Sequence, residues 1–221
     1  MLSLFKKKSK NLLGIDISSS SIKLLELSKQ GDKYRVERYA TRPLPPGAVV
    51  EKNIANVEAV GEEIEKLATL VKTKTTGAAV AVSGSSVIAK TIELNASLTD
   101  LEMENQIIVE ADQYIPYSLD EVAIDFERQL PSRKNEGMVE VLLAACKREN
   151  VELRVDALQM AGYEAMVVDI EAYAMERAFK LLSEQMDLSP EGIVAIMDIG
   201  ATMTTIYIHK DVNSIYTREQ V

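Results

Sequence analysis

Two stretches of this chain share one order of residue types, and those types suit phosphate and metal chemistry. Each stretch passes from apolar residues to an aspartate and then to small or hydroxyl-bearing residues. The first copy is Leu12-Leu13-Gly14-Ile15-Asp16-Ile17-Ser18-Ser19-Ser20-Ser21-Ile22-Lys23, and the second is Ile193-Val194-Ala195-Ile196-Met197-Asp198-Ile199-Gly200-Ala201-Thr202-Met203-Thr204-Thr205. Each predicts a buried strand, a tight turn and a second strand. The repeat therefore predicts a duplicated core whose two hairpins hold one ligand between them.

The residues of the two turns suit a nucleotide phosphate and its metal. Tight turns present successive backbone N–H groups to an anion, and small residues let the backbone come close. The residues predicted to contact the nucleotide are Ser18, Ser19, Ser20, Gly200, Ala201, Thr202 and Thr204. Lys23 either adds a positive charge or points away. Asp16 and Asp198 are repelled by phosphate, but they can hold Mg²⁺ through water because that ion keeps several waters.

One hairpin of this kind, taken alone, is typical of an ordinary β-turn, and only the second copy in a matching context favours a ligand site. A Walker-type phosphate loop is absent from the sequence. Gly14-x-Asp16 is not a dinucleotide fingerprint, because the turn that follows leads into a second strand and not into a helix. The nucleotide prediction therefore depends on the pairing of the two hairpins.

Composition indicates an ordinary globular protein. Apolar residues make up 47% and charged residues 27% of 221 residues, so the chain is long enough to bury a core. The net charge of −9 without a basic stripe argues against nucleic acid as a partner. No apolar run reaches the roughly 18 residues of a membrane span, and no apolar segment of a signal peptide follows the first lysines. A single cysteine fits a reducing cytoplasm.

Three further features are predicted to be structural. Cys146 lies in an apolar run with no histidine near it in sequence, which favours a core position. His209 is the only histidine, and no second histidine or further cysteine is present to form a metal-ligand cluster with it. The first ten residues contain four lysines, Lys6, Lys7, Lys8 and Lys10. They predict a solvated tail, with weak attraction to an anionic membrane surface as the alternative.

Hydrophobic periodicity predicts strands and helices along the whole chain. Strands are predicted at residues 12–17, 21–28, 33–41, 78–82, 87–94, 122–130, 138–146, 165–170, 193–198, 203–209 and from 213. Helices are predicted at residues 57–71, 100–115, 150–161 and 171–186. The second helix is preceded by a capping box, Thr99 with Glu102, and the third is followed by Gly162 as a C-terminal cap.

The paired motifs resemble the phosphate loops of the actin-like ATPase superfamily, which covers actin, heat-shock chaperones, sugar kinases and the division protein FtsA. The segment from Gly14 to Lys23 resembles the first loop, and the segment from Asp198 to Thr202 resembles the second. Val168-Asp169-Ile170-Glu171-Ala172 resembles the connecting segment. There the superfamily places a water-orienting side chain at a helix start, which implies that role for Glu171. An acid favoured by the helix dipole is the alternative for Glu171.

Within the superfamily the sequence is most similar to the PilM family of type IV pilus assembly proteins. The lysine-rich start, the first hairpin and the segment Glu110-Ala111-Asp112-Gln113-Tyr114-Ile115-Pro116-Tyr117 carry this resemblance. It implies an α/β, actin-like ATPase (ribonuclease H-like) fold with an FtsA-type 1C subdomain. Subdomain 1A is then expected at residues 1–83 and 164–190, subdomain 1C at 84–163, and the start of subdomain 2A at 191–221.

The same resemblance implies a cytoplasmic protein at the inner face of the bacterial inner membrane, peripheral to it, that serves pilus biogenesis and twitching motility. It implies binding of ATP with Mg²⁺, and of the N-terminal cytoplasmic tail of the inner-membrane protein PilN in a groove between subdomains 1A and 1C. Other pilus alignment and motor proteins, and self-association, are further implied contacts.

Two departures from the superfamily pattern affect these expectations. Ser18 stands where the superfamily often has glycine, which predicts a tighter first loop. The chain ends at Val221, before subdomain 2B and its adenosine-binding glycine motif. The sequence is therefore expected to be an N-terminal fragment, truncated before subdomain 2B. A weak ATPase activity at most is expected, and the truncated chain itself is expected to be inactive and to bind nucleotide poorly or not at all.

Two other functions within the superfamily stay open. A division protein of the FtsA type is expected to carry a C-terminal amphipathic membrane helix, which this sequence does not contain. A small-molecule kinase needs a substrate-side carboxylate and a sugar-binding insert. The predicted insert has no dense cluster of polar residues suited to sugar hydroxyls, so the pilus scaffold is favoured.

Overall fold

The computed structural model describes residues 11–31, 33–183, 186, 192–211 and 213–220, apart from the side chain of Asp112. The chain divides into two compact units, one made of Met1–Ala81 with Leu153–Val221 and the other of Val82–Glu152. The lysine-rich start lies outside the described residues. No helix in the described ranges has both the length and the apolar character needed to cross a membrane.

Strands and helices are spread along the whole described chain. In order they are β1 (Leu13–Ile17), β2 (Ser21–Gln30), β3 (Lys33–Pro43), β4 (Val49–Val50), β5 (Asn53–Ile54), α1 (Val57–Val71), β6 (Gly77–Val82), β7 (Val87–Asn95), α2 (Asp100–Glu110), β8 (Val122–Pro131), β9 (Met138–Lys147), α3 (Arg148–Met160), β10 (Glu164–Ile170), α4 (Glu171–Ser183), β11 (Ile193–Ile199), β12 (Thr204–Lys210) and β13 (Asn213–Gln220).

The larger sheet of the first unit has five strands in the order β10-β6-β1-β2-β3. β1 lies antiparallel to β2 and parallel to β6, so the hairpin formed by β1 and β2 is anchored on both sides. Inward-facing Leu13 and Ile15 alternate with exposed residues on β1, as a half-buried strand requires. Their partners in the core include Ile64 and Leu67 on the buried face of α1. Burial of this apolar face fixes the position of the first hairpin.

The smaller sheet of the first unit contains β11, β12 and β13 in antiparallel order. Helix α4 packs against it, since the Phe179 ring lies 4.7 Å from the His209 ring, centroid to centroid. The backbone N–H of Ser214 on β13 also donates a hydrogen bond to the Glu176 carboxylate, at 2.8 Å. The second hairpin is therefore attached to α4, the helix whose first residue is Glu171.

The second unit has its own three-stranded antiparallel sheet, in the order β7-β9-β8, with α2 packed on it. Ile92, Leu94, Met103 and Ile107 belong to one apolar core between the sheet and α2. The predicted capping box is present at the start of α2. Cys146 is buried on β9, as the sequence predicts.

The predicted strands and helices are confirmed, with two differences. The predicted continuation of the fourth helix to residue 186 passes through residues 184 and 185, which lie outside the described residues. Helix α2 ends at Glu110, short of the predicted residue 115, and a 3-10 turn follows. The N–H of Tyr114 donates to the carbonyl of Ala111, three residues earlier, at 2.9 Å, which is the tighter 3-10 pattern. The N–H of Ile115 donates to the same carbonyl at 2.8 Å. The short hairpin of β4 and β5 was not predicted, because its strands have two residues each and its turn contains no glycine.

A buried carboxylate ties the end of α1 to the first sheet. The Glu26 side chain on β2 accepts hydrogen bonds from Arg38 at 2.6 Å, Thr75 at 2.7 Å and Thr73 at 2.9 Å. Burial alone would raise the pKa of Glu26, but these donors outweigh it and hold the pKa below the ordinary 4.5. Ionised Glu26 therefore stabilises the fold above pH 4.5, and this contribution is lost as the pH falls through the lowered pKa.

We expect Glu26→Gln to lower the free energy of unfolding by about 1–3 kcal/mol at neutral pH, because Arg38 then loses its charged partner. The deficit relative to the unmodified chain should shrink below pH 4.5, where Glu26 itself begins to bind a proton. Urea unfolding at several pH values measures both effects. Glu65→Gln, at an exposed position of α1, is the matched control. A deficit that does not change with pH would contradict the assigned role.

Candidate functional site

The two hairpins predicted from the repeated motif have matching turns. In the first, the backbone N–H of Ser18 donates to the carbonyl of Ser21 at 3.0 Å. In the second, the N–H of Gly200 donates to the carbonyl of Met203 at 2.9 Å. Each donor lies two positions after the aspartate of its motif and just beyond the end of a strand. The repeat in sequence is therefore a repeat in backbone geometry.

The tips of the two hairpins meet. The hydroxyl of Thr202 donates a hydrogen bond to the hydroxyl of Ser19 at 2.9 Å, although the two residues lie 183 positions apart in the chain. Both side chains belong to the predicted nucleotide contacts. A ligand held by one tip therefore lies within reach of the other, as the duplicated core predicts.

Lys23 points towards the first turn and not away from it. Its amino group donates to a carboxylate oxygen of Asp16 at 2.7 Å and to the hydroxyl of Ser18 at 3.2 Å. Ser18 donates to the same Asp16 oxygen at 3.0 Å. The hydrogen bond to Asp16 raises the pKa of Lys23, and the charge of Asp198 on the second hairpin acts in the same direction. Asp16, Ser18 and Lys23 therefore form one exposed polar cluster, and the charge of Asp198 on the second hairpin also acts on it.

Gly200 is required at its position by space. A Cβ atom on Gly200 would lie 2.8 Å from the carbonyl oxygen of Met203, closer than real contacts allow. That oxygen is also the acceptor that closes the turn. The backbone of the second turn thus has no side chain between it and the solvent at this point, which suits the close approach of a phosphate. Ser18 at the corresponding place carries a side chain, and that side chain adds a hydroxyl donor.

The other predicted contacts, Asp198, Ser20, Ala201 and Thr204, lie around the same two tips. Asp198 is exposed near the end of β11 and pairs across the hairpin with Thr205. Ser20 is exposed, and its carbonyl accepts a hydrogen bond from the N–H of Leu44 at 2.9 Å. Ala201 is exposed in the second turn, and Thr204 begins β12.

Glu171 is held by a lysine that the sequence did not reveal. The Lys52 amino group donates to Glu171 at 2.8 Å, to the Thr205 hydroxyl at 3.0 Å and to Glu219 at 3.4 Å. Burial raises the pKa of Glu171, although the bond from Lys52 acts in the opposite direction. Burial also tends to lower the pKa of Lys52, but the two carboxylates outweigh it and raise that pKa. Lys52 therefore offsets only part of the cost that burial imposes on the Glu171 carboxylate, while the carboxylates favour the ammonium form of Lys52.

Alternate side chains of β12 point into the fold next to this cluster. Thr205, Tyr207 and His209 are all buried on the same face of the strand. Burial and the nearby Glu171 carboxylate raise the pKa of Tyr207, which keeps the phenol neutral. Burial lowers the pKa of His209, and neither of its ring nitrogens has a hydrogen-bond partner among the described residues. His209 packs on Phe179 and so supports α4, in keeping with its predicted structural role.

The residues present fit a nucleotide phosphate with Mg²⁺. Hydroxyls, a lysine and a turn without a side chain suit the anion, while two exposed carboxylates suit a metal that is held mainly through water. Within the described ranges, no group of three or more histidine, cysteine, aspartate or glutamate side chains is placed to hold a metal directly. The donor set is compatible with a phosphate whose metal is held mainly through water.

The family of the chain follows from its sequence over almost its whole length. The model of the type IV pilus assembly protein PilM family matches residues 14–221. The chain belongs to the PilM family.

Solved structures agree with this assignment and give the fold. A PilM chain in a structure of the PilM–PilN type IV pilus biogenesis complex matches with a TM-score of 0.76 and 28% identity, over 94% of this chain and 60% of that chain. The cytoplasmic domain of EpsL, an inner membrane component of the type II secretion system of Vibrio cholerae, matches with a TM-score of 0.56 and 13% identity, over 95% of this chain and 71% of that chain. The predicted actin-like ATPase fold is confirmed. This PilM-family chain spans less than two thirds of the length of the PilM chain that it matches.

We expect Gly200→Ala to damage the second turn, because the new methyl group would press on the Met203 carbonyl. The expected loss of unfolding free energy is about 1–3 kcal/mol. Faster amide hydrogen exchange at Gly200 should accompany it, since that N–H closes the turn. Gly14→Ala on β1 is the matched control, as its Cβ would lie 3.8 Å from the nearest atom, an ordinary contact. Equal effects of the two substitutions would show that Gly200 is not selected by space.

Proposed function

We propose that this PilM-family chain binds ATP with Mg²⁺ at the tips of its two hairpins and serves as a scaffold of type IV pilus assembly. We place it in the cytoplasm at the inner face of the bacterial inner membrane, where it binds the N-terminal tail of PilN. The observation that carries the nucleotide part is the Thr202–Ser19 hydrogen bond, which brings two turns of matching geometry together. The match to the PilM–PilN complex supports the partner.

The residues divide the work of holding the nucleotide. The hydroxyls of Ser18, Ser19 and Thr202, with the turn N–H groups, would donate to phosphate oxygens. Further contacts are assigned to Ser20, Lys23, Gly200, Ala201 and Thr204. Asp16 and Asp198 would bind the water shell of Mg²⁺, and the ion when bound neutralises phosphate charge. Lys23 would then be shared between Asp16 and the phosphate, because its amino group already lies at that turn.

Glu171 is assigned the orientation of a hydrolytic water. It is the first residue of α4 and lies close enough to Asp16 for their charges to interact. An ionised carboxylate there can accept a hydrogen bond from water and hold its oxygen in one direction. Any such activity is expected to be slow, because the main output of the proposed scaffold is protein contact.

We expect Asp16→Asn and Asp198→Asn each to weaken Mg²⁺-dependent ATP binding about tenfold or more, because the ion loses a charged second-sphere acceptor. Calorimetry with and without Mg²⁺, on the protein at its full natural length, measures the change. Asp156→Asn, at an exposed position of α3, is the matched control. Unchanged affinity in both folded variants would contradict the assigned metal roles, and no ATP binding in the unmodified protein would contradict the proposed nucleotide site.

A groove in the second unit offers a surface for part of the PilN tail. It has a volume of about 550 Å³ and is lined by Ile107 and Ile108 of α2 and by Ile124 and Phe126 of β8. β8 is an outer strand of its sheet as described, and an outer strand can accept a further extended segment through its backbone. Apolar side chains of that segment would then fill the groove.

We expect Ile108→Glu to weaken binding of a PilN N-terminal peptide about tenfold, because a charge would replace an apolar side chain that lines the groove. Fluorescence anisotropy of a labelled peptide measures the affinity, with a scrambled peptide as a specificity control. Val109→Glu is the matched substitution, since the neighbouring side chain is 81% exposed and does not line the groove. Equal affinity of both variants would place the peptide elsewhere on the chain, and no binding by the unmodified chain would contradict the proposed partner.

A further inference from the structure

Lys52 connects three parts of the first unit through one amino group. It lies in the turn between β4 and β5 and donates to Glu171 at the start of α4, to Thr205 on β12 and to Glu219 on β13. Its side chain is only 17% exposed. A partly buried lysine with two carboxylate partners has a restricted position, since each hydrogen bond limits the direction of the others. None of these three contacts is local in sequence.

The turn that carries Lys52 is itself held in an unusual conformation. Glu51 and Lys52 both have positive φ angles, 48° and 61°, which a two-residue turn of type I′ requires but which side chains disfavour. The carbonyl of Lys52 accepts a hydrogen bond from buried Arg154 at 2.9 Å, and Arg154 also donates to the carbonyl of Ala81 at 2.7 Å. Arg154 therefore fixes the backbone of Lys52, while the Lys52 side chain reaches Glu171.

The charges that face Glu171 explain why a cation is needed there. Glu219 and Asp16 both raise the pKa of Glu171 through their negative charges, whereas Lys52 lowers it. The buried Tyr207 phenol lies on the same side and remains neutral. Without Lys52, Glu171 would face two carboxylates in a partly buried place, and it would bind a proton more readily.

We propose that Lys52 is a positioning residue of the nucleotide site, which holds the Glu171 carboxylate ionised and in one orientation at the start of α4. The inference rests on the proposed function, because it assigns a purpose to Glu171 in that site. Lys52 acts through Glu171 and is not assigned a contact with the nucleotide. Its bonds to Thr205 and Glu219 attach Glu171 to the strands that follow the second hairpin tip.

The first test follows the Glu171 carboxyl by carbon NMR as the pH is changed, without nucleotide. Lys52→Met keeps the length of the side chain and removes the charge, so the Glu171 midpoint should move to higher pH. Lys52→Arg should return it towards that of the unmodified chain. Lys72→Met is the matched control, because Lys72 is exposed and also has a positive φ, 50°. An unmoved midpoint in folded Lys52→Met would overturn the proposal.

A second variant should move the Glu171 midpoint in the opposite direction, and it keeps Lys52 in place. Glu219→Gln removes a negative charge that faces Glu171 and a competitor for Lys52, so the Glu171 midpoint should move to lower pH. If Lys52→Met does not fold, this variant decides the matter alone. A midpoint that stays in place or rises would show that Glu171 is not governed by the Lys52 cluster.

A kinetic test separates positioning from support of the fold. For ATP hydrolysis by the protein at its full natural length, Lys52→Met should lower kcat roughly tenfold with KM nearly unchanged, and Lys52→Arg should recover most of the loss. The acid limb of the kcat profile should move to higher pH together with the NMR midpoint. Equal kcat in the unmodified protein and in Lys52→Met would overturn the positioning role. If the unmodified protein binds no ATP, the proposed function fails, while the NMR midpoints still decide whether Lys52 controls Glu171.

Discussion

An excess of carboxylates around the two hairpin tips is the constraint on which the site depends. Asp16, Asp198, Glu171 and Glu219 influence one another or shared neighbours electrostatically, and Lys23 and Lys52 are the cations among them. Among these described residues, the negative charges are offset in two ways: solvent reaches some of the carboxylates, and lysines are bonded to others. Asp16 and Asp198 lie on the exposed side, whereas Glu171 and Glu219 share the partly buried Lys52. The remaining negative charge on the exposed side is what a divalent cation would offset when an anionic ligand is bound.

Lys23 and Lys52 differ in how readily each can exchange its present partners for a ligand. Lys23 is 46% exposed and bonded to an exposed aspartate, so its pairing is weak and can be exchanged for a ligand. Lys52 is 17% exposed and bonded to two carboxylates and a hydroxyl, so release of its partners would leave buried charge uncompensated. The first hairpin therefore has a cation that can change partner, Lys23, whereas Glu171 has a cation that stays bonded to it, Lys52. A site that must accept an anion and also keep a carboxylate ionised needs both kinds.

The features that the sequence predicted correctly are those encoded by local patterns. An apolar run followed by an aspartate and a turn of small residues predicted both hairpins, and apolar steps of three and four predicted the buried face of α1. Lys52 was missed because it lies 119 residues from Glu171 and because its turn has Glu51 and Lys52 where glycine or asparagine would signal a hairpin. Glu219 was missed for the same reason, since nothing near it in sequence indicates a lysine partner from the start of the chain.

The unfavourable turn is itself an argument that Lys52 is more than a surface residue. Left-handed backbone costs a residue with a Cβ roughly 1–2 kcal/mol, and asparagine or glycine in the turn of β4 and β5 would avoid part of that cost. The fold keeps Glu51 and Lys52 in this conformation and stabilises the Lys52 carbonyl with the guanidinium of Arg154, a buried group that is costly to place. Strained backbone persists where its surroundings determine it, and it occurs most often at functional sites. The residue held in this strained turn is Lys52, whose amino group bonds to Glu171. The strain is thereby connected to the site proposed at the paired hairpins.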